Sequence, residues 1–195
     1  MKVCVRRVNE WDAPGMLKIY GAAIDTGQSS FERETPALWE YVRRIDRYTY
    51  GKGWTVCDAD GWTAGFAVAH ECFDCPDDLF MMDVEVYVDA ALRRRGIGSA
   101  VLGLLIDIAT MGDRKALRAR FPHSDATLAF FKSCGFREIR RDDGFRPNET
   151  WTVVERRLDA RDAEQPTKPF LVPQGEYERI RREWGATIKG VSEVL

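Results

Sequence analysis

The chain has 195 residues, of which 45% are hydrophobic, and 29 Lys and Arg stand against 31 Asp and Glu for a formal net charge of −2. This length accommodates one domain with an extension, and the near-neutral charge gives no support for a nucleic-acid or membrane-surface binder. Five scattered cysteines argue against a disulfide framework. The sequence shows neither a signal peptide nor an apolar run of about 18 residues. We therefore expect a cytoplasmic protein without a membrane span.

Charge is segregated along the chain. Between Lys52 and Arg93 there are nine acidic residues and no Lys or Arg, whereas residues 93–157 carry 14 basic and 8 acidic residues. An acidic stretch therefore meets a basic one at Leu92-Arg93. Such segregation also arises by chance on solvated faces, so its meaning depends on a motif at the junction.

The first half of the chain combines a strand, two helices and three further strands. The predicted elements are a strand over 3–8, helices over 14–24 and 35–45, and strands over 54–57, 62–69 and 81–88. Asp58-Ala-Asp-Gly61 is a hairpin signal between two of the strands. In the last strand the valines at 84, 86 and 88 alternate with Asp83, Glu85 and Tyr87, so one face is aliphatic and the other carries two carboxylates and a phenol.

The second half changes to helical periodicity. It predicts a helix from Ile97 to Gly112, a strand over 117–121, a helix from Ser124 or Asp125 to Cys134, strands over 136–139 and 151–154, and a helix over about 175–184. We expect one domain over 1–159 and an extension over 160–195. The extension is more apolar than a free tail needs, so we expect it to dock on its own domain or on a dimer partner.

A glycine-rich motif lies at the charge junction, between a strand and a helix. It reads Arg93-Arg94-Arg95-Gly96-Ile97-Gly98-Ser99. Glycines allow close approach, backbone N–H groups converge at a helix start, and arginines add charge-assisted bonds, so the motif predicts a phosphate site. Val101 replaces the third glycine of a dinucleotide-binding loop, and a P-loop Gly-Lys-Ser/Thr is absent.

Arg93-x-x-Gly96-x-Gly98 resembles the Q/R-x-x-G-x-G/A signature of the GNAT superfamily of acetyl-CoA-dependent acyltransferases. Three further segments, at 30–36, 84–89 and 130–136, resemble the phosphinothricin/methionine-sulfone acetyltransferase branch, in the same order. The resemblance covers residues 3–157. It implies an α/β (α+β) fold with a mixed, mostly antiparallel central sheet flanked by helices and splayed between its fourth and fifth strands. Acetyl-CoA is then the co-substrate, with its pyrophosphate over residues 93–99.

The resemblance also implies roles for the carboxylates. The branch has its base four residues before the Tyr of V-Y-V, a position that Asp83 occupies here, while Glu85 lies on the same face. Either one is a candidate base for the attacking amine, acting directly or through water. Both are also compatible with being plain solvated acids of a strand face.

Other family roles transfer less simply. The oxyanion donor is a main-chain N–H of the same strand, which suggests Val86, with Val88 also beside the cofactor. The tyrosine that commonly protonates the thiolate is replaced by Phe131, and an asparagine near the cofactor is replaced by Ser124. The group that protonates the thiolate is then Tyr87 or water, or the reaction has no good acid and the enzyme is slow.

The acceptor is expected to be a small primary amine. The loop before the fourth strand is acidic, which favours a cation, whereas Arg118 and Arg120 could hold the carboxylate of an amino acid if they face the site. Phe31 and Glu32 lie in a segment that lids the acceptor site by resemblance. Cys72, Cys75 and His70 have metal-ligand spacing, but a full zinc set is lacking, so no metal is predicted.

Three functions are compatible with this sequence. The first is acetyl-CoA:amine N-acetyltransfer to a small molecule, with a protein amine as the variant. The second is a non-catalytic acyl-CoA-binding or sensor domain, which Phe131 favours. The third is an adaptor that uses the extension to bind a partner.

Overall fold

The structure is a computed structural model that describes residues 1–28, 32–49, 53–143, 149–159, 164 and 173–195, with the backbone alone for 46–49. Its centre is one sheet. The strands are β1 (Lys2–Arg7), β2 (Trp54–Ala59), β3 (Trp62–Glu71), β4 (Met81–Val88), β5 (Ala116–Pro122), β6 (Arg137–Asp143), β7 (Thr150–Arg157) and β8 (Glu193–Val194).

The strands follow the order β6-β7-β5-β4-β3-β2-β1-β8. Neighbouring strands are antiparallel except for β4 with β5 and β1 with β8. The predicted mixed, mostly antiparallel sheet is therefore confirmed. The short strand β8, which the sequence did not reveal, pairs Lys2 with Glu193 and Val3 with Val194.

Five α-helices flank the sheet in the described part of the chain. They are α1 (Ala13–Asp25), α2 (Leu38–Thr49), α3 (Ile97–Met111), α4 (Asp125–Ser133) and α5 (Gln174–Ala186). The helix α2 begins two to three residues later than Thr35-Pro36 suggested and ends four residues later than predicted, at Thr49. The ends of the other helices agree to within about two residues. None of the described helices is long and apolar enough to cross a membrane.

The sheet separates two apolar cores. On one face α3, α4 and α5 cover an aliphatic core that includes Leu105 and Leu117, and on the other α1 and α2 cover an aromatic core that includes Tyr20 and Phe66. The strand β4 contributes to both because successive side chains point to opposite faces. Its valines join the aliphatic core, and Tyr87 joins the aromatic one.

Residues 173–195 pack against the sheet and α3. Tyr177 and Ile180 are buried in the aliphatic core, and the Tyr177 hydroxyl accepts a hydrogen bond from the Arg7 N–H at 2.7 Å. The Trp184 indole N–H donates to Asp107 Oδ2 at 2.6 Å, which joins α5 to α3. The segment therefore covers apolar surface of the same chain.

The contact between α3 and α5 predicts the effect of one methyl group. A Cβ added to Gly103 would lie 2.3 Å from the rigid Trp184 ring, so Gly103→Ala must displace α5. We expect it to lower the free energy of unfolding by about 1 to 3 kcal/mol, as overpacked cores do. Urea unfolding followed by circular dichroism measures the loss. Gly175→Ala is the matched control, since no atom lies within 4 Å of its Cβ position. Equal stability of the two variants would contradict the packing described.

Candidate active site

The strands β4 and β5 part soon after they pair. Their parallel register joins Met81 with Ala116, Met82 with Leu117 and Asp83 with Arg118, whereas β4 runs on to Val88 and β5 to Pro122. In the described structure the pairing thus stops at Asp83, and the two strands line an opening beyond it. The splay expected between the fourth and fifth strands is confirmed.

A tight turn connects β4 to α3 at one end of this opening. Arg94 and Gly96 have positive φ angles of 66° and 90°, and α3 begins at Ile97. Gly98 is buried, and a Cβ there would lie 3.3 Å from both Phe130 and Val88. The backbone N–H groups of the first turn of a helix attract anions, so this turn has the chemistry of a phosphate cradle.

The carboxy-terminal segment supports this turn from behind. The Lys189 N–H donates to the Arg95 carbonyl at 2.7 Å, and a Cβ on Gly96 would lie 3.3 Å from the Thr187 carbonyl oxygen. A side chain at residue 96 would therefore be strained by its φ angle and crowded by Thr187. Glycine is required there for both reasons.

The other predicted cofactor residues lie in different surroundings. The side chains of residues 93–95 are exposed, and that of Arg93 donates to Gln28 Oε1 at 3.0 Å, next to α1. Ser124 caps α4 by accepting from the Thr127 N–H at 3.3 Å. Phe131 is buried in the core, stacked on Phe121 at 5.3 Å between ring centroids. Phe131 thus serves packing, and its ring offers no proton.

Asp83 lies at the point where the strands part. Its carboxylate accepts a hydrogen bond from the Phe73 N–H at 2.8 Å, from the loop between β3 and β4. Burial raises the pKa of Asp83 above its ordinary value, although the Phe73 N–H and the positive charges of His70 and Arg120 act to lower it. A carboxylate of raised pKa is a stronger base than an exposed aspartate.

Glu85 is engaged by two side chains on the same face of β4. Tyr87 donates its hydroxyl to Glu85 Oε2 in a short hydrogen bond, and His70 Nε2 lies 3.3 Å from Glu85 Oε1. The Tyr87 ring packs edge-on against Tyr20 and beside Phe66, at 5.1 and 5.2 Å between centroids. The carboxylate and the phenol are therefore held in fixed positions over the aromatic core.

His70 is the residue of this cluster that sequence reasoning missed. It was considered only as a metal ligand with Cys72 and Cys75. The available signal was the hairpin register, because β3 and β4 pair antiparallel and place His70 directly opposite Asp83. Burial lowers the pKa of His70, but the hydrogen bond and charge of Glu85, with smaller effects from Glu71 and Asp83, leave it raised overall.

Arg118 and Arg120 lie on the face of Asp83, because the register aligns Arg118 with Asp83 and Arg120 follows two residues later. Both are already paired with acids. Arg118 Nε donates to Glu155 at 2.9 Å, and Arg120 donates to Asp74 at 2.6 Å. Arg140 of β6 also donates to Asp74. The arginines therefore hold the loop before β4 onto the sheet.

The two cysteines of this loop are thiols close to Arg118. Its Nη1 atom lies 3.9 Å from Cys72 Sγ and 3.8 Å from Cys75 Sγ, and all five cysteines of the chain are free. Burial raises the pKa of Cys72 to about 12, so it is a poor nucleophile at neutral pH. No three potential metal ligands group together among the residues that the structure describes.

The predicted lid is described only in part. Phe31 lies outside the described residues. Glu32 accepts two hydrogen bonds from Arg44 of α2, the shorter one at 2.6 Å, and Arg44 also reaches Glu40. Glu32 is therefore tied to α2 in this structure.

Comparison with known proteins identifies the fold and the family. Residues 18–136 match the acetyltransferase (GNAT) family. The chain belongs to this family. A phosphinothricin N-acetyltransferase of Alcaligenes faecalis is 28% identical over 170 residues, which are 83% of this chain and 86% of that protein. The branch that the sequence resembles is thereby supported, and the chain is an acetyltransferase.

Two solved structures share the fold. One is a GNAT phosphinothricin acetyltransferase of Sinorhizobium meliloti in complex with acetyl-CoA, with a TM-score of 0.76 and 22% identity over 86% of this chain and 94% of that one. The other is yncA of Salmonella typhimurium with its cofactor acetyl-CoA, with a TM-score of 0.76 and 20% identity over 84% and 98%. Both structures are of proteins that bind acetyl-CoA.

The Asp74 cluster predicts a pH-dependent contribution to stability. Burial acts to raise the pKa of Asp74, but the hydrogen bonds of Arg140 and Arg120 hold it below its ordinary value. The stabilisation is therefore complete above the unfolded pKa of about 3.9 and is lost as pH falls through the lower folded value. We expect Asp74→Asn to lower the free energy of unfolding at pH 7 by about 1 to 2 kcal/mol, since Asp74 is partly exposed.

Urea unfolding at pH 7 and at a pH well below about 3.9 tests this. Because the wild type loses the interaction in acid, the difference between wild type and Asp74→Asn should shrink there. Asp77→Asn, an exposed position of the same loop, is the control and should change little. A difference that is constant with pH would mean that the charge of Asp74 is not what holds the loop.

Proposed function

We propose that the chain transfers the acetyl group of acetyl-CoA to the primary amine of a small molecule, an amino acid or a polyamine-like compound, by direct attack in a ternary complex. One observation carries the proposal: β4 leaves β5 at Asp83, so the carboxylates of β4 and the glycine-rich start of α3 lie along one opening. The Alcaligenes faecalis relative, named for acetylation of phosphinothricin, is consistent with a small acceptor.

The turn before α3 suits the pyrophosphate of acetyl-CoA. Gly96 and Gly98 place no side chain at the start of α3, and the adjacent Arg93, Arg94 and Arg95 are exposed and positively charged. Ile97 and Ser99 belong to the same first turn. When bound, acetyl-CoA supplies an acetyl thioester that is activated towards amines.

Asp83 is the better supported base. The amine must be neutral to attack, and the raised pKa of Asp83 fits it to take the proton, directly or through water. Glu85 already receives hydrogen bonds from Tyr87 and His70, which stabilise its charged form and make it a weaker base. Because the pKa of Asp83 is raised, activity should fall in acid at a higher pH than for an ordinary aspartate.

The developing oxyanion needs a donor and the thiolate needs a proton. The N–H of Val86, in the part of β4 beyond its pairing with β5, is the candidate donor. Val88 continues this edge towards the turn. For the thiolate, Tyr87 carries the one side-chain hydroxyl of β4 and is the candidate acid, since Phe131 lies in the core.

The charge of the acceptor face favours an acceptor without strong negative charge. Arg118, Arg120 and Arg140 are balanced by Asp74, Asp142 and Glu155. A dianionic acceptor such as phosphinothricin would find no uncompensated positive charge in this cluster, so we expect it to be a poor substrate.

A second candidate, a non-catalytic acyl-CoA-binding domain, is favoured by one observation. The position that commonly supplies the acid is Phe131, whose ring is stacked in the core. In that case acetyl-CoA binds, and no amine promotes its breakdown.

Release of free thiol from acetyl-CoA across a panel of amines distinguishes these functions. We expect turnover with at least one amino acid or polyamine. Asp83→Asn keeps an acceptor for the Phe73 N–H but removes the base, so it should reduce kcat about 100-fold and leave acetyl-CoA affinity unchanged. Asp77→Asn is the charge-matched control and should retain full activity.

Other outcomes of this panel have clear meanings. Turnover only of protein lysines or N-termini would replace the small-molecule acceptor by a protein. Binding of acetyl-CoA without thiol release from any amine would favour the acyl-CoA-binding domain. Normal turnover in both Asp83→Asn and Glu85→Gln would remove the carboxylates from the mechanism.

The turn before α3, residues 93–96, is called the cofactor turn from here on and gives a separate prediction. Arg95→Ala removes an exposed charge while leaving the carbonyl that accepts from Lys189, so it should weaken acetyl-CoA binding about tenfold without unfolding the turn. Titration calorimetry measures this, and the loss should shrink at high salt. Arg137→Ala, exposed on β6, is the control. Equal affinity of the two variants would exclude Arg95 from the cofactor site.

A further inference from the structure

His70 has a hydrogen-bond acceptor at each ring nitrogen. Nδ1 lies 2.9 Å from the Glu71 carbonyl oxygen, and Nε2 lies 3.3 Å from Glu85 Oε1. A carbonyl can only accept, so Nδ1 carries a hydrogen, and the contact with a carboxyl group requires another proton between Nε2 and Glu85. His70 and Glu85 therefore share one ionisable proton, drawn as an imidazolium beside a carboxylate.

This pair continues to a phenol. The second oxygen of Glu85 accepts the hydroxyl hydrogen of Tyr87, so a single carboxyl group joins the imidazole to Tyr87. The side chains of His70 and Glu85 are 23% and 19% exposed, which leaves the chain of hydrogen bonds largely sheltered from bulk water. Asp83 of β4 pairs with His70 of β3 in the strand register. Tyr41 of α2 packs in the aromatic core with Tyr87, on the same face of the sheet. In the described part of the chain, the charges with the largest effects on His70 are those of Glu85 and Asp83, both negative.

We propose that His70 is a positioning residue that supplies, through Glu85, the proton that Tyr87 gives to the departing thiolate. This rests on the proposed acetyl transfer. The chain offers a reason for such a device, because Phe131 cannot donate a proton and a tyrosine hydrogen-bonded to a carboxylate is by itself a poor acid.

The proton transfer balances as follows. When the amine nitrogen bonds to the acetyl carbon, the C–S bond breaks and its electron pair stays on sulfur. The Tyr87 hydroxyl turns its hydrogen from Glu85 Oε2 towards the sulfur and releases it there, while the proton on His70 Nε2 moves to Glu85 Oε1. The carboxylic acid group of Glu85 then rotates so that its O–H faces the Tyr87 oxygen. Tyr87 recovers its hydrogen from Glu85. The net change is an imidazolium and a thiolate becoming an imidazole and a thiol, and the proton that Asp83 took from the amine restores His70 through water.

Nuclear magnetic resonance titration tests the shared proton without requiring turnover. The chain has two histidines, and His123 is an internal reference whose Nδ1 contacts the Thr152 hydroxyl at 2.8 Å. We expect His70 to stay protonated to higher pH than an ordinary histidine, whose pKa is about 6.5, and to lose about one pKa unit or more in Glu85→Gln. An ordinary or lowered pKa of His70 in the wild type, or no change in Glu85→Gln, would overturn the proposal.

The pH dependence of kcat tests the function. His70→Gln keeps an N–H near Glu85 but has no proton to release, so kcat should fall about 10- to 100-fold, with the KM of acetyl-CoA unchanged and the wild-type decline at alkaline pH abolished. Tyr87→Phe should cause a similar loss, and the double variant should lose little more, because both act in one relay. His123→Gln is the control and should keep the wild-type profile.

If His70 only supported the structure, the His70→Gln variant would keep the activity of the wild type and its decline at alkaline pH. That result would overturn the proposal. Failure of the proposed function appears differently. A wild-type protein that releases no thiol with any amine rejects acetyl transfer, while the titration of His70 and its response to Glu85→Gln remain measurable.

Discussion

The parting of β4 and β5 after three paired residues is the constraint on which the rest of the structure depends. If the pairing continued past Asp83, the edges of both strands would be occupied by each other, and no long ligand could lie between them. Separated strands must be held apart by what packs on them. The aliphatic core under α3 and the aromatic core under α1 and α2 do this from opposite faces. Two unlike cores therefore maintain one opening.

On the proposed function, the strict alternation of β4 gives the two substrates different surroundings. Valines face α3 and the turn that suits a phosphate, whereas Asp83, Glu85 and Tyr87 face the acceptor side. Proton chemistry is thus confined to one face of a single strand. The arginine cluster around Asp74 closes that face at its far end by holding the loop before β4 onto β5 and β6.

The periodicity of the sequence predicted nearly all helices and strands, because local patterns of apolar residues determine them. The splay and the site residues were predicted from the resemblance at the motif of residues 93–98. A local pattern of apolar residues could not have predicted them. His70 was missed because its role depends on a cross-strand register with Asp83 and on contact with Glu85, fifteen residues away. The pairing of Arg120 with Asp74 and the strand β8 likewise depend on contacts that no sequence window contains.

The support of the cofactor turn by Lys189 and Thr187 has a consequence for biosynthesis. The residues that back the turn are synthesised about ninety residues after it, together with β8, which pairs with the first strand. Until then, the turn lacks the Lys189 hydrogen bond and the Thr187 contact. On the proposed function, the backed form of the acetyl-CoA site is therefore completed only after residues 187–189 have been synthesised.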